Sequence, residues 1–152
     1  MKKITKEFNW AMAHMLENHK GLCSNLHGHD YKLFVTVIKT GDEKDGASSE
    51  GMVVDFKDLK DIVNEVIVDV FDHSFCYNET NDMGKLIAKF LKEEIDQKLT
   101  GLPFRTTAEN MSKWIYDELN KYFTIVGIGL KCIKIKLYET DTCYATYLGG
   151  FK

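Results

Sequence analysis

Apolar and polar positions alternate along the start of the chain. Ile4, Phe8, Trp10, Met12 and His14 fall on one parity, which predicts a strand over Met1 to Met15 with those side chains on one face. After a loop at Cys23 to Leu26, a second strand is predicted from about His27 to Thr40. On it Tyr31, Leu33, Val35 and Val37 share a face with His27 and His29. Residues 41–51, rich in Gly, Asp, Glu, Ser and Lys, predict a solvent-exposed turn. From Asp55, a fitting N-cap, the spacing changes. Phe56, Leu59, Ile62, Val63, Val66, Ile67 and Val70 follow the stripe of a one-faced helix. A second helical pattern runs from about Met83 to Leu99 through Leu86, Ile87, Phe90, Leu91 and Ile95. A third begins at Thr106 or Thr107 and passes through Met111, Trp114, Ile115, Leu119 and Tyr122, with Pro103 marking the break before it. Two strands follow, about Lys131 to Glu139 and Cys143 to Gly149, joined by a turn at Glu139 to Thr142. The expectation is an α+β fold, an antiparallel sheet with helices covering one face.

Length and composition narrow this picture. The 152 residues suit one domain over 1–152, long enough to need no disulfide staples. A net charge of −3 gives no electrostatic case for a nucleic-acid partner or an anionic membrane. No apolar run approaches the roughly 18 residues of a membrane span, and the three lysines of Met1 to Lys6 have no apolar stretch behind them to make a secretory signal. Cys23, Cys76, Cys132 and Cys143 lack Cys-x-x-Cys spacing, so they are expected to be reduced thiols in a cytoplasm.

Five histidines add chemistry. His27 and His29 point the same way from one strand, and His14 takes the core-facing parity of the strand before it. Gly28 between the pair permits close backbone approach. Three imidazoles without a fourth protein ligand are the pattern of a zinc site with an open position, although iron, copper and nickel also accept imidazole. Ordinary polar residues at strand ends are the alternative.

Several further groups have two readings each. Cys23, in a loop beside the proposed metal, is either a thiolate base or a buried inert thiol. Asp72 and His73 are either a proton relay, the acid fixing the tautomer, or a helix-end histidine held by the dipole. Glu139 ends an apolar row, Ile133, Ile135 and Leu137, and needs a partner: a flat ligand offering two N–H donors, or a rim lysine. Thr106-Thr107-Ala108-Glu109 matches a capping box, with the threonine hydroxyls also available to a ligand.

Taken together these residues resemble a known family. Ala13-His14, Cys23-x-x-x-His27-Gly28-His29, Gly51-Met52-Val53-Val54-Asp55-Phe56, Asp72-His73, Thr107-Ala108-Glu109-Asn110 and Glu139-Thr140 occur in the order seen in the 6-pyruvoyl-tetrahydropterin synthase / 6-carboxy-tetrahydropterin synthase (QueD) family. The resemblance spans nearly the whole chain. It implies a tunnelling fold (T-fold) with a four-stranded antiparallel sheet, oligomerising into a barrel within a homohexamer of two stacked trimers. It implies Zn2+ on His14, His27 and His29, Cys23 as the proton-abstracting base, and Asp72 and His73 as its relay. Glu139 would grip the pterin ring, with Thr106, Thr107 and Glu109 as further substrate contacts. Active sites would lie between subunits. The implied substrate is 7,8-dihydroneopterin triphosphate. The QueD branch converts it to 6-carboxy-5,6,7,8-tetrahydropterin with loss of triphosphate and acetaldehyde, a precursor of queuosine and other 7-deazaguanine compounds. The pyruvoyl branch shares these residues, and a non-catalytic zinc or pterin-binding module is the alternative of another class. The chain departs from the family at Cys76 and Tyr77, at Gly150, and in a longer segment from Glu79 to Pro103.

Overall fold

The computed structural model describes residues 1–41 and 46–150; part of the expected turn at 41–51 lies outside the described residues. Two long strands, β1 (Lys3–His14) and β2 (His27–Lys39), form the centre of the sheet. They pair antiparallel without interruption from Lys3↔Ile38 to His14↔His27. β5 (Leu130–Tyr138) adds antiparallel to β2, and β6 (Tyr144–Leu148) to β5. These are the four strands the alternation predicts.

The sheet is larger than that. Two four-residue strands, β3 (Phe75–Asn78) and β4 (Leu99–Leu102), extend its other edge in parallel, giving the order β4-β3-β1-β2-β5-β6. The sheet is therefore six-stranded and mixed, not four-stranded and antiparallel. Strands this short carry too little alternation to be recognised, and Leu99, expected to close a helix, begins one of them.

Helix α1 (Phe56–Val63) starts where expected, with the Asp55 carboxylate accepting from the Lys57 N–H. A π-helical turn (Asn64–Val68) then leads into a short α2 (Asp69–Phe71). The buried residues are Leu59, Val63, Ile67 and Phe71, each four apart. An α-helix of 3.6 residues per turn would rotate such a row off the core, and the wider π turn brings it back. Phe71 thus takes the place expected of Val70, and Phe56 lies exposed.

Helix α4 (Ala108–Val126) ends at Gly127, whose left-handed backbone (φ 69°) suits its C-terminal position. Its buried Met111, Ile115, Leu119 and Phe123 pack with the α1 row on Phe8, Trp10, Leu33, Val35, Ile135 and Leu137 of the sheet. Helix α3 (Asp82–Ile95) instead packs on the opposite face, where Ala88 joins Met15 and Phe75 in a separate apolar cluster. The expectation that helices cover one face holds for α1 and α4 and fails for α3.

Candidate active site

The β1–β2 register builds the centre of the site. His14 stands opposite His27, and Met12 opposite His29, so period-two alternation sends all three imidazoles to one side. Their ring centres lie 4.7 Å (His14–His27), 5.3 Å (His14–His29) and 4.7 Å (His27–His29) apart. One nitrogen from each ring falls within 4.8 Å of the others.

Each neighbouring acceptor fixes which nitrogen is offered. His14 Nδ1 is 3.0 Å from the Thr106 carbonyl and His27 Nδ1 is 2.7 Å from the Asn25 carbonyl. A carbonyl only accepts, so both Nδ1 atoms carry hydrogen and both Nε2 atoms keep their lone pairs. His27 Nε2 and His29 Nε2 lie 3.0 Å apart. Burial, then the His27 charge, push the His14 pKa down to about 4 against the Thr106 carbonyl bond, and burial lowers that of His29. His14 is therefore neutral at neutral pH, the form that binds a metal. The donor set fits a divalent ion such as zinc.

Thr106 is fully buried, with its hydroxyl 3.3 Å from His14 Nδ1 as well as facing the Met15 carbonyl. It supports the triad. The N-cap of α4 is Thr107, which accepts from the Asn110 N–H, while the Asn110 amide returns to the Arg105 carbonyl. The capping pair is one residue later than Thr106 and Glu109, which leaves the Glu109 carboxylate free of that duty.

Glu139 follows β5 directly and points at the triad, with Oε1 3.9 Å from His14 Nε2. Burial and the negative charge of Glu109 raise its pKa, while the His27 charge and a hydrogen bond from Tyr31 oppose the rise. The expected parity of Ile135, Leu137 and Glu139 holds, and Ile133 alone leaves it. A bulge opposite Thr36 and Val37 skips Ile133, so Cys132, Ile135 and Leu137 are buried and Ile133 is not.

Tyr31 was expected only in the core. It is 1% exposed, and its hydroxyl sits 3.3 Å from His14 Nε2. Its place two residues after His29 on the inward parity is the signal that could have found it.

Cys23 lies half-buried in a short 3-10 turn (Leu22–Ser24), tied to the end of β1 by the Leu16 N–H donating to its carbonyl. Its sulfur is near enough to raise the Tyr31 pKa, after burial, Glu139 and Cys76. Cys76, Cys132 and Cys143 are also free thiols.

Asp72 and His73 form a turn stitched to β1. The His73 N–H donates to the Ala11 carbonyl at 2.7 Å, and the Ala11 N–H donates to Asp72 Oδ1 at 3.3 Å. His73 adopts a left-handed backbone (φ 57°), uncommon outside glycine though tolerated better by Asn, Asp and His than by other residues. Its Nδ1 is 2.9 Å from Asp72 Oδ1. Burial works to raise the Asp72 pKa, but the His73 and Ala11 hydrogen bonds bring it below the usual carboxylate range. His73 is 81% exposed and, with His29, Leu26 and Gln97, lines an open cavity of about 470 Å3. The chain brings His14, His27, His29, Tyr31 and Glu139 together and presents the Asp72–His73 pair outward.

The sequence over residues 3–150 matches the 6-pyruvoyl tetrahydropterin synthase family. The chain belongs to that family. It is 44% identical over 147 residues to 6-carboxy-5,6,7,8-tetrahydropterin synthase of Haemophilus influenzae, covering 97% of this chain and 99% of that one. Two solved structures share the fold. One is an uncharacterized protein from Wolinella succinogenes (TM-score 0.76, 18% identity, 98% of both chains). The other is Caenorhabditis elegans 6-pyruvoyl tetrahydropterin synthase (TM-score 0.63, 22% identity, 98% of this chain and 96% of that one). The fold is thus the tunnelling fold of the 6-pyruvoyl tetrahydropterin synthase family, and no helix among the described residues is long and apolar enough to cross a membrane.

Proposed function

We propose that the protein is a zinc-dependent 6-carboxy-5,6,7,8-tetrahydropterin synthase acting on 7,8-dihydroneopterin triphosphate, with release of triphosphate and acetaldehyde. The observation that carries this reading is the convergence of three imidazoles beside a carboxylate at the sheet end, in a chain 44% identical to an enzyme of that name. The product is a precursor of queuosine and related 7-deazaguanines, made in the cytoplasm.

His14, His27 and His29 would hold the ion, with the Thr106 and Asn25 carbonyls fixing two of the rings. When bound, zinc supplies Lewis-acid stabilisation of the negative charge that develops as a C–H proton leaves the substrate side chain. Cys23, a half-buried free thiol in the turn between β1 and β2, is the base for that proton. Glu139 accepts two N–H bonds from the pterin ring, a bidentate contact that orients a flat heterocycle. Thr107 and Glu109, at the α4 start, are further substrate contacts in this reading, Glu109 being close enough to act on Glu139.

Asp72 holds His73 Nδ1, so the outer ring nitrogen is free to pass a proton. Because His73 faces outward, it serves the site of an adjoining copy. This supports a homo-oligomer with sites between subunits, a hexamer of two trimers whose sheets join into a barrel. Incubation with dihydroneopterin triphosphate, followed by product mass and an acetaldehyde assay, tests the activity. A 6-carboxy product with acetaldehyde supports it; a 6-pyruvoyl product without acetaldehyde assigns the chain to the other branch of the family.

A further inference from the structure

The Tyr31 hydroxyl stands between two groups with different duties. Its oxygen is 3.3 Å from His14 Nε2, and Glu139 Oε1 approaches that same nitrogen to 3.9 Å. The phenol has one proton to donate: His14 Nε2 is one acceptor, and the Glu139 carboxylate, gathered on that same nitrogen and held back from a higher pKa by a hydrogen bond from Tyr31, is the other. Since the Thr106 carbonyl keeps hydrogen on His14 Nδ1, Nε2 offers a lone pair to the phenol whenever no ion uses it. A metal on Nε2 removes that acceptor and leaves the carboxylate.

The ring itself cannot follow another path. Tyr31 is 1% exposed and stacks on Trp10 with centroids 5.6 Å apart and planes within 6°. Trp10 stacks in turn on Phe71, the residue before Asp72. Only the direction of the O–H bond is free to change.

We propose that Tyr31 is a positioning residue coupling the histidine triad to Glu139: its proton is shared with His14 Nε2 in the metal-free chain and committed to Glu139 when a divalent ion occupies the triad. One side of the carboxylate is then fixed, and its remaining lone pairs are aimed at the paired N–H donors of a flat heterocycle. Metal and ring binding become mutually reinforcing although they need not touch, and by linkage the effect is equal in both directions. The inference rests on the pterin reading above, and it assigns a role to a side chain that touches neither the reacting atoms nor bulk solvent.

The test uses unsubstituted pterin, which has no side-chain hydroxyls to reach the metal. Its affinity is measured by fluorescence titration of the intact protein, zinc-loaded and chelator-stripped, for wild type and Tyr31→Phe. Zinc is expected to tighten wild-type binding about tenfold, the scale of one hydrogen bond to a charged group. In Tyr31→Phe the gain should fall below about twofold, while zinc affinity without pterin, read by chelator competition, is not weakened. A gain in Tyr31→Phe equal to that of wild type overturns the coupling, as does a wild-type protein that binds pterin equally with and without zinc. A wild-type protein that binds no pterin in either state overturns the pterin reading and this inference together.

Discussion

His14 and His27 face each other across the β1–β2 ladder, their ring centres 4.7 Å apart, each with Nδ1 held by a backbone carbonyl from outside the sheet. Twelve consecutive pairs fix that register. A slip of one residue would turn every core side chain outward along with the imidazoles, so the apolar core and the convergence of the three imidazoles are specified by the same pairing.

Cys23→Ala should abolish turnover by about 10²-fold or more, the usual contribution of a positioned general base. Metal content and pterin affinity should stay near wild type, because Cys23 is neither in the triad nor hydrogen-bonded to Glu139. Steady-state kinetics with metal analysis on the same preparation checks both.

Glu139→Ala removes the only carboxylate within 4 Å of His14 Nε2 among the described residues. The expected result is a loss of pterin affinity of about 10- to 100-fold, the value of hydrogen bonds to a charged group, with zinc retained. Isothermal titration with a pterin decides it.

The metal-free protein should become less stable in mild acid. His14 has its pKa pushed from 6.5 to about 4. As pH falls the unfolded chain takes up this proton first, so the full stability present above pH 6.5 is lost progressively between 6.5 and 4. The loss amounts to about 3 kcal/mol at the lower end. Urea unfolding of chelator-stripped protein across that range measures it, and His14→Asn should flatten the slope.

Gly84→Ala should destabilise, against the usual gain for glycine to alanine within a helix. Gly84 lies in the first turn of α3, and an added Cβ would sit 2.8 Å from the Asn78 carbonyl oxygen of β3. Overpacking of this kind costs about 1–3 kcal/mol, which a shift in denaturation midpoint will show.

The long strands were legible because twelve or more residues express a parity clearly, and that parity placed His14, His27 and His29 on one face. β3 and β4 have four residues each, and no periodicity can be read from Phe75-Cys76-Tyr77-Asn78 alone. The side of the sheet taken by α3 depends on the β3–α3–β4 crossover, which periodicity does not encode. Ile133 was misplaced because a bulge breaks alternation without a sequence mark, and the α1 row drifted because a π turn reset its phase. Thr106 and Thr107 are adjacent alternatives for one cap, and they are separated by the buried contacts of Thr106 to His14 and the Asn110 N–H bond to Thr107. Asp72–His73 was legible as a pair, but its outward direction follows from a left-handed backbone at His73 that sequence spacing does not reveal.

The proposed metal centre is one divalent ion among the three imidazoles of the β1–β2 pair. Metal content per chain, measured on purified wild type and His27→Ala after equal exposure to zinc and dialysis, tests it most directly. One zinc per wild-type chain and essentially none in the variant is the expected result; a wild type that retains no metal, or a variant that retains as much, overturns the proposed metal centre.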